Sequence, residues 1–267
     1  MYSVVACGFS PARLEWVADP SSVTVLPSPQ DPEFVPRAFE ALSERPFERA
    51  LLVHESNPLA TRRTRTLRAM LQTSGVVPVP LRRPLTGLAA HATWLAGLAA
   101  RDVPAGLALT AVPMMEARLP TYAVTTSVAR LALPEVKIHH HVLSWLPGTT
   151  FGVVADTGVR LGSGAPEPGP GPTNDESADL VWSGDRRLEP RLDRTRPGRV
   201  LESQELRPEG DRPWWGNARA FEHTVVPRDV DGFVAALHDS TPASCPQCGE
   251  AVRGHCSFCN SREGVAA

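Results

Sequence analysis

Two cysteine pairs near the C-terminus carry the sharpest chemistry in this chain: Cys245-Pro246-Gln247-Cys248, a seven-residue spacer, then Cys256-Ser257-Phe258-Cys259. Each C-x2-C turn aims two sulfurs at one point, and two such turns supply the four thiolates of a tetrahedral metal site. Zn2+ is the cofactor this set favours, with Cys245, Cys248, Cys256 and Cys259 as ligands. Iron is compatible with the same sulfur tetrahedron. A pair of disulfides is the covalent alternative and requires an oxidising compartment. The opening residues Met1-Tyr2-Ser3-Val4-Val5-Ala6-Cys7 lack the charged region of a signal peptide. Redox catalysis by one pair would leave the other without a role.

The segment resembles the short zinc-ribbon modules found at the ends of many unrelated proteins. The resemblance rests on the four cysteines, on Pro246 and Gly249 around the first knuckle, and on His255-Cys256 at the start of the second. It implies a bound metal and a compact tail rather than an activity.

A second set of candidates lies where parallel sheets hold their ligands, at the carboxyl ends of strands beside helix N-termini. Gly8-Phe9-Ser10 follows the first apolar run and His54-Glu55-Ser56-Asn57 the third. Ser10 suits an anionic group, with His54 or Glu55 as acid or base beside it. The plainer reading is that Ser10 and Asn57 cap helices while His54 and Glu55 line a solvated rim. Arg62, Arg63, Arg65 and Arg68 form the densest basic cluster, and Arg62 and Arg65 share a helix face that suits phosphate, an acidic partner or water. His139-His140-His141, taken as a strand, puts two imidazoles on one side. Trp214-Trp215 on an extended segment either offers one ring to a partner while the other packs, or is buried as a pair. Cys7 sits in an apolar strand and reads as a small buried residue.

Composition narrows the classes. A chain of 267 residues can bury a substantial core. Lys137 is the only lysine, and no G-x4-G-K-[ST] is present, which excludes a P-loop. The glycines after Gly8 do not make G-x-G-x-x-G either. Residues 1–150 carry 14 basic and 11 acidic side chains, 151–240 carry 11 and 16, and 241–267 two of each, reproducing the net charge of −2. A neutral cysteine module beside an acidic segment disfavours nucleic acid, which attracts basic fields. No apolar run reaches the ~18–20 residues of a membrane span. The best candidate, Leu85 to Ala100, is too short and contains His91. These features predict a cytoplasmic protein with no membrane partner.

Residues 1–138 alternate between apolar runs and helical periods, which predicts an α/β domain with a Rossmann-like parallel sheet. Strands are expected at Ser3–Cys7, Val23–Leu26, Ala50–His54, Val76–Leu81 and Gly106–Val112. Helices are expected at Pro11–Ala18, Glu33–Ser43, from Pro58 after the Asn57 cap up to Gly75, and at Leu88–Ala100. Pro78 and Pro80 push Val76–Leu81 to a sheet edge. Residues 139–240 predict a β-rich region with strands at Val142–Trp145, Thr150–Ala155, Val159–Leu161, Leu180–Ser183, Val200–Leu206 and Ala218–Val226. The Pro/Gly loop 162–178 interrupts it, and a helix at Val230–Leu237 closes it. Residues 241–267 form the zinc ribbon.

No catalytic triad or carboxylate pair is legible. The sequence therefore predicts a zinc-binding accessory or adaptor protein that acts through contacts with another protein, with Trp214 and Trp215 at the interface. The alternatives are a hydrolase or transferase with its pocket near Ser10 and His54, and a nucleic-acid accessory protein.

Overall fold

A computed structural model describes residues 2–10, 23–44, 48–128, 131, 136, 138–155, 158–161, 177–189, 199–206, 219–239, 243–252 and 256–259. Their elements run β1 (Ser3–Cys7), β2 (Val23–Leu26), α1 (Phe34–Ser43), β3 (Ala50–Glu55), α2 (Pro58–Met70), β4 (Val76–Leu81), α3 (Leu85–Ala99), α4 (Ala105–Arg118) and β5 (Thr121–Thr125). The second half continues with α5 (Ile138–Leu143), β6 (Phe151–Val154), β7 (Gly158–Leu161), β8 (Ser177–Gly184), β9 (Arg199–Glu205), β10 (Ala220–Pro227), α6 (Val230–Asp239), β11 (Ala243–Ser244) and β12 (Ala251–Val252). The chain divides into two compact units. The first comprises Met1–Arg82, His91–Met115 and Asp229–Ala267, and the second Arg83–Ala90 and Glu116–Arg228. These units cut across the sequence boundaries at 138 and 240.

The first unit is the expected parallel sheet, in the order β2-β1-β3-β4. Val5, Cys7, Leu26 and Leu52 on one face pack with Phe34, Ala38 and Leu42, one stripe of α1, and with Leu67 of α2. Val4, Ala6, Leu51 and Val53 alternate to the other face and are also buried, so both faces are covered. Burial pushes the Cys7 thiol up to about 12, which leaves it protonated and inert, as a packing residue should be. The two prolines of β4 stand on the sheet edge, where a missing N–H costs no ladder bond. The Tyr2 hydroxyl donates to the Leu95 carbonyl at 2.8 Å, and Trp94 packs 4.9 Å from Phe233 of α6.

The second unit is a six-stranded sheet in the order β7-β6-β5-β10-β8-β9, antiparallel except for the β8/β9 pair. Period-two alternation splits its side chains between two clusters. Tyr122, Val124, Trp182 and Phe221 belong to one, and Ala123, Phe151 and Val153 to the other.

Three sequence expectations fail here. Gly106–Val112 is not a strand but part of α4, because a short apolar run does not distinguish a strand from a buried helix and the run continues helically to Arg118. The strand that follows is β5, which the sequence reading passed over. Val142–Trp145 and the histidine tract are not extended either. His139, His140 and His141 lie in α5, where His140 is buried against Phe151 and its two neighbours are exposed. The helix is recognisable in retrospect from Ile138, Val142, Trp145 and Leu146, which follow helical spacing and are all exposed. The expected helix Pro11–Ala18, nearly all of the 162–178 loop, and Trp214 and Trp215 lie outside the described residues.

Candidate functional site

The order β2-β1-β3-β4 makes a topological switch point. The chain leaves β1 toward β2 on one side, whereas it leaves β3 toward β4 on the other, so the carboxyl ends of β1 and β3 flank a crevice. Gly8, Phe9 and Ser10 leave β1 there, and Ser56 and Asn57 leave β3. Gly8 has a φ of +85°, and a Cβ on it would stand 2.7 Å from Ser28 Cα, so the turn admits only glycine. Ser10 is exposed at this end of the sheet.

Helix α2 starts at the same end. The Asn57 side chain accepts from the Ala60 amide at 2.8 Å and Pro58 occupies the first turn, so the sequence-predicted cap is the one observed. Ser56, Asn57, Pro58, Thr61, Arg62, Arg65, Thr66 and Ala69 line an open depression of about 780 Å³. It brings Arg62 and Arg65 together beside a helix N-terminus, a combination suited to an anion. Arg63, on the neighbouring face, instead donates to the Pro29 carbonyl at 2.8 Å and the Asp31 carbonyl at 2.6 Å, fixing the loop after β2. The arginine cluster is therefore split between scaffold and surface.

His54 and Glu55 do not line this depression. His54 is fully buried, with Nδ1 2.9 Å from the Glu55 carbonyl and Nε2 3.5 Å from the Thr64 hydroxyl. Glu55 is partly buried, its carboxyl held above the usual range by burial, and it accepts a long bond from Gln30 at 3.5 Å. Burial also holds the His54 imidazole below its ordinary value, against the raising effect of its bond to the Glu55 carbonyl. The unfolded chain therefore takes up the proton first as the pH falls past about 6.5. The contribution of the neutral ring is fully present above that value and declines below it, until the depressed folded-state value is passed. Urea midpoints followed against pH should show this acid limb, and His54→Leu should flatten it. An unchanged limb would assign it to other groups.

The four C-terminal cysteines do come together. All four sulfurs lie within 4.8 Å of one another, with Cys245 and Cys259 3.4 Å apart and Cys248 and Cys256 3.5 Å apart. A disulfide would need about 2.05 Å, and the thiols are free. Sulfurs about 2.3 Å from a tetrahedral zinc stand roughly 3.8 Å apart, so the donor set fits a metal ion. Burial and the neighbouring thiols push Cys248 up to about 12, and burial raises Cys256. A cation at the centre acts in the opposite sense by replacing the protons. The scaffold is a two-stranded hairpin in which Ala243 pairs with Val252, the Cys245 amide donates to the Glu250 carbonyl and the Gly249 amide to the Cys245 carbonyl. Sequence reasoning found the four cysteines that cluster but not their contacts with Arg49 and Arg68 or the role of Glu250, which hold this module in place.

No protein-family model and no curated protein sequence matches the chain. Solved structures do. A stearic-acid-binding protein from Eubacterium ventriosum superposes with a TM-score of 0.59 at 10% identity, over 87% of this chain and 100% of that one. A DegV family protein from Thermus thermophilus, described for its fatty acid binding, gives 0.57 at 12% identity over 85% and 99%. The fatty acid kinase B3 protein of Streptococcus pneumoniae, loaded with linoleic acid, gives 0.52 at 9% over 84% and 99%. The chain thus has the fold of the DegV proteins, a parallel sheet joined to a second mixed sheet. This overturns the expectation of a zinc adaptor acting through protein contacts, because structures of this architecture are described as binding fatty acids. The hydrolase or transferase and nucleic-acid alternatives fit the fold no better. Among the described residues no helix is long and apolar enough to cross a membrane.

Proposed function

We propose that this chain binds a long-chain fatty acid or a closely related anionic acyl amphiphile. The observation that carries the reading is the likeness to fatty-acid-binding structures over nearly their whole length. An acyl tail is a ligand that only a protein or a bilayer hides well, at about 0.8 kcal/mol for each buried methylene. The head group needs donors and positive charge. In this reading Ser56, Thr61, Arg62 and Arg65, which line one depression along α2, supply both, with Ser10 exposed at the same end of the first sheet. The four thiolates hold zinc in this reading and have no contact with the ligand. A partner that acts on the carried acyl group is the form in which a protein partner enters, and one of the similar structures belongs to a fatty acid kinase system by name.

Displacement of a fluorescent fatty acid by stearic acid tests the head-group assignment. Arg62→Gln combined with Arg65→Gln should weaken binding by about tenfold or more, the scale of charge-assisted hydrogen bonds. Both residues are exposed, so stability should stay within ~0.5 kcal/mol. Saturable binding that ignores both substitutions would move the head group elsewhere.

A further inference from the structure

The four-thiol site is tied to the rest of the first unit by side chains distant in sequence. Arg68, in the last turn of α2, donates to the Ser257 carbonyl at 3.0 Å and to the Phe258 carbonyl. Both carbonyls lie between Cys256 and Cys259, inside the second knuckle. Arg49, one residue before β3, pairs with Glu250 at 3.0 Å and sets its guanidinium 5.2 Å from the centre of the Phe258 ring. The other Glu250 oxygen accepts from the Gly106 amide in the first turn of α4 at 3.1 Å. A Cβ on Gly106 would stand 2.6 Å from the Ala251 nitrogen, so α4 and β12 meet at a separation that requires glycine. The knuckles thus touch the end of α2, the start of β3 and the start of α4.

This module cannot hold that geometry by apolar packing. Its only hydrophobic side chains buried among the described residues are Cys245, Cys256 and Phe258. Two of these three are themselves ligands, so the cross-link between the sulfurs must fix the turns that carry the Ser257 and Phe258 carbonyls.

We infer that the thiolate metal site is a clamp on α2. A thiophilic divalent cation at Cys245, Cys248, Cys256 and Cys259 fixes those two carbonyls, they fix Arg68, and Arg68 holds the last turn of the helix whose preceding turns present Thr61, Arg62 and Arg65. Metal occupancy then sets how well the anion-binding depression is formed. The consequence for ligand affinity rests on the acyl-binding reading; the clamp itself is read from α2 alone.

The test uses the full chain in three forms: zinc-loaded, zinc-stripped with a chelator, and zinc-loaded Arg68→Gln. Amide exchange across Pro58–Met70 and affinity for cis-parinaric acid are measured on each, with zinc content as the control. Stripping should speed α2 exchange by on the order of tenfold, as the loss of charge-assisted bonds does. Arg68→Gln should reproduce this with its zinc retained, Arg68→Lys should recover part of it, and affinity should fall in parallel. If stripping unfolds the chain throughout, the zinc-loaded Arg68→Gln protein supplies the decisive comparison. Unchanged α2 exchange in that variant overturns the clamp. A wild-type protein that binds no fatty acid overturns the acyl reading instead, and α2 exchange still decides the clamp.

Discussion

Cys248→Ala should abolish metal binding and lower the stability of the first unit by several kcal/mol. Structural zinc contributes on the order of 10 kcal/mol to small modules, and part of that is passed on wherever the module is an integral contact. Here it is integral. Arg49, Arg68 and the α4 amide of Gly106 all bond to it, so the loss cannot stay confined to the last residues. Elemental analysis should give about one zinc per wild-type chain and none in the variant, and urea unfolding should shift accordingly. A zinc-free variant with an unchanged midpoint would show that the cysteines are an appendage rather than part of the unit.

The second large effect is expected in the other unit. Asp179 of β8 is completely buried, and Arg228 after β10 reaches both of its oxygens, with Nε 2.9 Å from each and Nη2 2.7 Å from one. Glu202 of β9 joins the same guanidinium at 3.5 Å. Carboxylates from two strands therefore converge on one cation. Arg228→Ala removes the bidentate cation from the buried Asp179 carboxylate, which should cost about 3–5 kcal/mol. Chemical denaturation of Arg228→Ala, Asp179→Ala and the double variant separates the pair energy from the truncations. A loss below about 1 kcal/mol would place the pair with ordinary surface ion pairs.

Much of the first sheet was legible because each element announces itself locally. Asn57-Pro58 marks the start of α2, Pro78 and Pro80 mark an edge strand, and Ala50–Val53 reads as a strand buried on both faces. The α4 segment was misread because Ala105–Met115 is apolar at nearly every position, the exposed Pro113 included, so the residue types show no helical period. The clustering of the four cysteines was legible from spacing alone. Their anchors were not: Arg49 meets Glu250 and Arg68 meets Ser257 only after the chain has folded across the whole unit. The proposed ligand class was the least legible feature. A site for an acyl chain is built from backbone amides, hydroxyls and apolar faces, and none of these leaves a spacing signature comparable to C-x2-C.

If the chain carries an anionic acyl ligand, as proposed, that ligand should accompany it through purification. Protein purified without detergent, extracted with organic solvent and examined by mass spectrometry tests it most directly, with the delipidated full chain titrated against stearic acid as its partner measurement. About one fatty acid per chain is expected in the extract, with saturable rebinding after its removal. An extract free of fatty acids, together with no saturable binding of acyl chains of any length by the delipidated, zinc-loaded protein, would contradict it.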